Sequence, residues 1–192
     1  MNFFRSNLRL IAKTFVFQIV ISLLGMMLGT ATGAYTALRL VGAVCADLVY
    51  LYVLGLHFWR KGAEDAIKGE AKKFPLTGLW VSLIAFLPSI VCVLISFILP
   101  MAGADGAQNW VFAVFVVTKL VFMGVYFGFA AVMYPTGADM TSSQIIEASK
   151  GQSGFFVVAL IPAIIVCTVA YVLGYKNKDP LNIFRNESRN LR

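Results

Sequence analysis

Five apolar blocks, each about as long as a membrane crossing, leave this chain few folds to adopt. They occupy residues 14–34, 37–59, 77–99, 110–134 and 154–175. A hydrocarbon core of about 30 Å needs about 20 residues of helix. In lipid the backbone must satisfy its own polar groups, which a helix does within one segment. The 192 residues are 59% hydrophobic and 13% charged, against about 45–50% and about 25% in soluble domains. The expectation is an all-α fold, a polytopic transmembrane helix bundle of about five spans. The blocks use up the chain, so residues 1–192 form a single integral membrane domain with a basic loop at 60–74 and a polar tail at 176–192.

The net charge is +7, and its placement decides what it means. Arg5, Arg9 and Lys13 precede the first block, Arg60, Lys61, Lys68, Lys72 and Lys73 follow the second, and five more bases lie in the tail. Bases at block ends orient helices and meet anionic lipid, so the expected partner is the bilayer and not nucleic acid. With the N-terminus inside and five crossings, nine bases lie inside and six outside. N-inside is preferred because the first helix usually dominates, yet it sends the basic tail outside. The alternative is four crossings, with the loop and the tail both inside. The first block is then the segment that fails to cross, because its strongly apolar core is only residues 15–29. The basic start and Thr32-Gly33-Ala34 also resemble a secretory signal. The length of this region and the block that follows at once favour an uncleaved first helix.

Shorter signals fill the connections. Residues 60–74 read as a short surface helix with pairings such as Glu64–Lys68. Residues 141–150 read as an interfacial helix opened by a Thr141/Gln144 capping box. Cys45, Cys92 and Cys167 fall inside apolar blocks without metal-like spacing, which argues against disulfides and zinc. His57 is the lone histidine and sits beside Phe58 and Trp59 as an interfacial ring. The chain has no phosphate loop, nucleophile elbow or zinc-protease motif. The expectation is therefore no catalytic residues, no metal, no cofactor and no enzyme.

Asp47 and Lys119 carry the sharpest functional signal. Each lies near the middle of its block, where an isolated charge costs about 2.5–3.5 kcal/mol. In a five-span bundle blocks two and four run in the same direction, so the two fall at nearly equal depth. The expectation is an intramembrane ion pair, read either as a clasp fixing helix register or as a site for a substrate, proton or cation. A further alternative carries Asp47 as the neutral acid. Tyr50 shares the Asp47 face and Tyr126 the Lys119 face, adding hydroxyls to the candidate site.

Gly25, Gly29 and Gly33 form a ladder four residues apart, and Gly124 and Gly128 repeat the spacing. Small residues at this spacing let membrane helices approach closely. The ladder reads either as internal packing or as the face that meets a membrane-protein partner or a second copy. Pro88 and Pro162 are expected to kink their spans.

The pattern Leu54-Gly55, Arg60 to Lys73, Gly78-Leu79, Pro88 and Tyr171-Val-Leu-Gly174-Tyr-Lys176 resembles small uncharacterised polytopic membrane proteins of Gram-positive bacteria. That resemblance implies a multi-pass protein of a bacterial cytoplasmic membrane, and no activity. In size and hydrophobicity the chain also resembles the substrate-binding subunits of energy-coupling-factor transporters, which dock through small residues on their first span. These proteins typically have six spans and polar substrate loops, where this chain has five blocks and sparse loops. The leading functional reading is a non-enzymatic small subunit or accessory of a membrane complex. The alternative is a small-molecule or ion transporter using Asp47 and Lys119.

Overall fold

The computed structural model describes residues 3–68, 76–98, 117–135 and 140–176, and these are helical apart from their turns. Helix α1 is Phe3–Ala31, α2 is Thr36–Ile67 and α3 is Thr77–Ile98. A shorter α4, Val117–Met133, contains a 3-10 turn at Gly124–Tyr126, and α5 is Ser142–Tyr175. Among the described residues four helices, α1, α2, α3 and α5, are long and apolar enough to cross a membrane, and α4 is described from Val117 onward. The chain is thereby a multi-pass integral membrane protein.

Local chemistry explains the ends. Thr30 donates to the carbonyls of Met26 and Met27, and Thr32 donates to that of Leu28, so hydroxyls absorb the last carbonyls of α1. Arg39 then staples the turn by donating Nη2 to the Gly33 carbonyl at 2.8 Å. Gly33 therefore belongs to the turn and not to the helical ladder. At the start of α5 the Gln144 side chain accepts the Thr141 backbone N–H at 2.9 Å, the return half of the expected capping box.

Two connections differ from expectation. Residues 60–67 are no separate surface helix but the last two turns of α2. Gly62 does not break it, because there the α5 backbone packs against α2 at Tyr171 and Tyr175. The ion pair found here is Lys61–Asp65. The expected Glu64–Lys68 contact is a backbone bond, Lys68 N–H to the Glu64 carbonyl at 3.1 Å. The expected interfacial helix at 141–150 is continuous with the last span. Helices α3 and α5 run unbroken through Pro88 and Pro162. The remainder of the basic loop, residues 69–75, the start of the fourth block, 110–116, and the tail from 177 lie outside the described residues.

The chain divides into two compact units. The first comprises Met1–Ala12, Leu51–Ala85 and Pro162–Arg192, and the second Lys13–Tyr50 and Phe86–Ile161. Each long helix therefore passes from one unit into the other, whereas α4 begins and ends in the second.

In the first unit glycines bring α2, α3 and α5 together around Tyr171. A Cβ on Gly78 would lie 2.7 Å from Tyr171 Cβ and 3.0 Å from the Cys167 carbonyl. Gly174 packs against the Trp59 backbone. The Tyr171 hydroxyl donates to Asp65 Oδ2 at 3.0 Å, and Lys61 binds Asp65 Oδ1. Gly55, Gly78, Tyr171 and Gly174, which carry the sequence resemblance, are thus packing residues.

In the second unit the glycine ladder is internal. A Cβ on Gly25 would lie 2.6 Å from Val125 Cα, and one on Gly29 would lie 2.8 Å from the Phe127 ring. Gly124 packs on the Ser22 carbonyl, and a Cβ on Gly128 would lie 2.7 Å from Ala43 Cβ. Contacts climb together, from Ser22 with Gly124 to Gly29 with Phe127, so α4 runs along α1 in the same direction.

Candidate functional site

Lys119, in α4, has no exposed surface. Its Nζ donates to Ser149 Oγ at 3.1 Å, and to the Ser149 carbonyl and Ser153 Oγ at 3.3 Å each. An ammonium has three donors, and α5 supplies three acceptors. The Phe156 ring lies 5.8 Å from Nζ and adds a weak cation–π contact. Ser149 and Ser153 stand four apart on α5, so one helix face carries both hydroxyls.

These serines belong to a larger buried polar network. Ser153 donates to the Ser149 carbonyl at 2.8 Å, and its hydroxyl meets Ser96 of α3 at 3.1 Å. Farther along α3, Ser89 accepts from Gln18 Nε2 of α1 at 2.8 Å. Gln18 Nε2 also reaches the Phe122 carbonyl at 3.1 Å, and Ser22 donates to the same carbonyl at 2.9 Å. That carbonyl is next to a backbone break, where Met123 leaves helical geometry with φ −121° and ψ 10°. The contacts close a ring through α1, α3, α5 and α4, back to α1. Gln18, Ser22, Ser89, Ser96, Lys119 and Ser153 are each at most 1% exposed.

The ring is not fully satisfied. Gln18 Oε1 and Thr14 Oγ1, one turn apart on α1, are buried and make no hydrogen bond among the described residues. Burying such a group unpaired costs about 1–3 kcal/mol. Both therefore offer themselves to a donor.

Asp47 is not in this site, and the expected ion pair with Lys119 does not form. The one ion pair among the described residues is Lys61–Asp65. The expectation assumed that α2 and α4 run in the same direction. Because α4 follows α1, and α1 and α2 are joined by a tight turn, α4 runs against α2. Gly128 meets Ala43, and Tyr126 meets Tyr50 edge-on at 6.1 Å between ring centres. Lys119 lies nine residues before Gly128, about 13 Å along a helix, which puts it past Tyr50 and not level with Asp47. Tyr50 and Tyr126 are both buried and touch each other.

The α1 and α3 members of the ring carry a sequence signal that charge-centred reading overlooks. Ser82, Ser89 and Ser96 recur every seven residues on α3, and Thr14, Gln18 and Ser22 every four on α1. A polar stripe at helical spacing inside an apolar block marks an interior face. Comparison with known protein families, with curated proteins and with solved structures finds no match for this chain.

Proposed function

We propose that the protein is a non-enzymatic transporter-type membrane protein with four crossings, and that the ring around Lys119 binds a small polar solute, an anion foremost. The observation that carries this reading is a wholly buried ammonium held, among the described residues, by neutral oxygens. Helix adhesion does not require a charge: Gln18 with Ser89 and Ser96 with Ser153 join helices with neutral groups. A lysine costs about 2.5–3.5 kcal/mol more at mid-membrane. Its uncompensated positive charge favours an anionic group and repels cations, while Gln18 Oε1 and Thr14 Oγ1 accept from a donor.

The path of the chain supports the same reading. Helix α4 is broken at Gly124–Tyr126 and runs beside α1 in the same direction, as expected of a segment that enters the membrane without crossing it. Irregular backbone at membrane depth is tolerated where protein buries it or where it lines a cavity, and interrupted helices build many transporter sites. Four crossings also put the N-terminus, the α2–α3 connection and the tail on one side. The first unit, which holds all three, carries twelve of the sixteen Lys and Arg residues. That side is then cytoplasmic, and the tail conforms to the positive-inside rule. The resemblance noted above makes a bacterial cytoplasmic membrane the setting.

Thiol access tests the proposal. Ser153→Cys, in a chain otherwise free of cysteine, is compared in sealed vesicles with a chain retaining only Cys167. Both positions have no exposed surface. The expected result is that Ser153→Cys reacts with small charged thiosulfonates, the negative reagent faster than the positive one, and that Lys119→Met removes the preference. If Ser153→Cys is as inert as Cys167, the ring is dry structural glue and the proposal is wrong.

A further inference from the structure

Asp47 presents a different problem from Lys119. The other acid buried in a long helix, Asp65, is bound by Lys61 and Tyr171. Among the described residues Asp47 has neither: its Oδ1 is buried and makes no hydrogen bond there. Yet the residue is only half-buried, because it stands at the margin of the packed face of α2. On its own stripe, seven and three residues earlier, Leu40 and Val44 are exposed, and so is Leu48 beside it. Of the four long helices α2 is the least covered, with 22% of its most apolar stretch buried against 28–39% in the others. Gly42 adds a notch, since a Cβ there would meet nothing nearer than the Thr32 side chain at 3.9 Å.

Lipid tails cover Leu40, Val44 and Leu48 adequately but offer a carboxylate no donor. A second copy is a poor cover, because a two-fold contact through this face brings Asp47 against Asp47, and the partner's own Lys119 is buried. The missing chemistry is a cation at matching depth on an otherwise apolar helix. We infer that this face of α2 docks a transmembrane helix of another protein, whose lysine or arginine pairs with Asp47. This assignment is independent of the ring around Lys119, and it moves the partner face from the α1 glycines, which α4 covers, to α2.

The test uses the full chain in phosphatidylcholine vesicles, with a donor dye on Y35C in a background without native cysteines. Tyr35 is 71% exposed at the α1–α2 turn. Three acceptor-labelled Leu-Ala transmembrane peptides serve as partners, identical but for a central Lys, Leu or Glu. Energy transfer to the Lys peptide is expected to half-saturate at about a threefold to tenfold lower mole fraction than transfer to the Leu peptide. The Glu peptide is expected to show no such gain. D47N and D47L are each expected to erase the difference, and an unchanged melting curve shows that these variants fold. Equal transfer to the Lys and Leu peptides overturns the inference, as does a difference that survives in D47L. Transfer between donor- and acceptor-labelled copies of the chain, lost in D47L, would assign the face to self-association and also overturn it.

Discussion

If the charge on Lys119 is kept for function and not for adhesion, then removing it should not weaken the fold, whereas removing one of its acceptors should. Lys119→Met keeps a long unbranched side chain and deletes the ammonium. The gain is the cost of a mid-membrane charge, about 2.5–3.5 kcal/mol. The loss is three bonds of 3.1 to 3.3 Å. Interhelical polar bonds in membranes average about 0.6 kcal/mol, so the three together come to about 2 kcal/mol. Ser153 keeps its bond to the Ser149 carbonyl and its contact with Ser96, so little is orphaned. The net expectation for Lys119→Met is a stabilisation of about 1 kcal/mol. Ser153→Ala instead leaves the ammonium in place with one acceptor fewer, while Ser96 keeps its bond to the Val93 carbonyl at 2.8 Å, a destabilisation of about 1–2 kcal/mol from the under-bonded charge. Equilibrium unfolding in mixed micelles measures both. A destabilisation by Lys119→Met larger than that of Ser153→Ala would refute the reasoning, because the ammonium would then be a net structural contributor.

Three other outcomes follow from the packing. Gly25→Leu forces the α1 and α4 backbones apart at Val125 and Gly124, and should cost about 1–3 kcal/mol in the same unfolding assay; Gly42→Ala, with open space around it, should be neutral, and equal effects would contradict the internal ladder. Tyr171→Phe removes one bond to Asp65 and should cost about 1 kcal/mol. Lys61→Met, which strips the counter-charge from a carboxylate 4% exposed, should cost more, and a reversed order of melting temperatures would show that the hydroxyl, not the ammonium, holds this acid. Single cysteines at Asn2, Glu70 and Asn186 should label from one side of sealed vesicles and Tyr35→Cys from the other; labelling of Asn186→Cys from the Tyr35 side would restore five crossings.

The fold class was legible because apolar blocks of bilayer length leave one backbone solution. The α1–α4 glycine contact was half legible. Gly25 with Gly29 and Gly124 with Gly128 stand out by spacing alone, but spacing does not say whether a ladder faces inward. The ring was overlooked for a related reason. Serine and threonine are cheap in a span because they bond back to their own helix, as Thr168 does to Ile164 at 2.8 Å. Single hydroxyls therefore carry little signal, and only the recurrence of Ser82, Ser89 and Ser96 distinguishes an interior stripe. Asp65 and Tyr171 meet across 106 positions of sequence, a separation no local pattern encodes.

The ion pair failed because it needs α2 and α4 to run in the same direction, whereas α4 follows α1 and runs against α2. Counting bases already contained the objection, because five crossings put the basic tail on the wrong side. That conflict pointed to an odd block, and length of apolar core singled out the first. α1 runs for 29 residues, and the fourth block is described from Val117 onward. Composition inside the block is the better guide. The fourth block sets Lys119 next to Thr118, and farther on adds Gly124 and Gly128. Charge and glycine together weaken both reasons for a segment to cross lipid, apolar burial and helix continuity. A segment with those defects is stable at membrane depth only when other helices enclose it, and α1 and α5 enclose α4 by backbone contact at Gly25 and by hydroxyls at Ser149 and Ser153. Direction then follows from enclosure. Running beside α1 in the same sense carries Lys119 away from Asp47 and leaves the two charges apart.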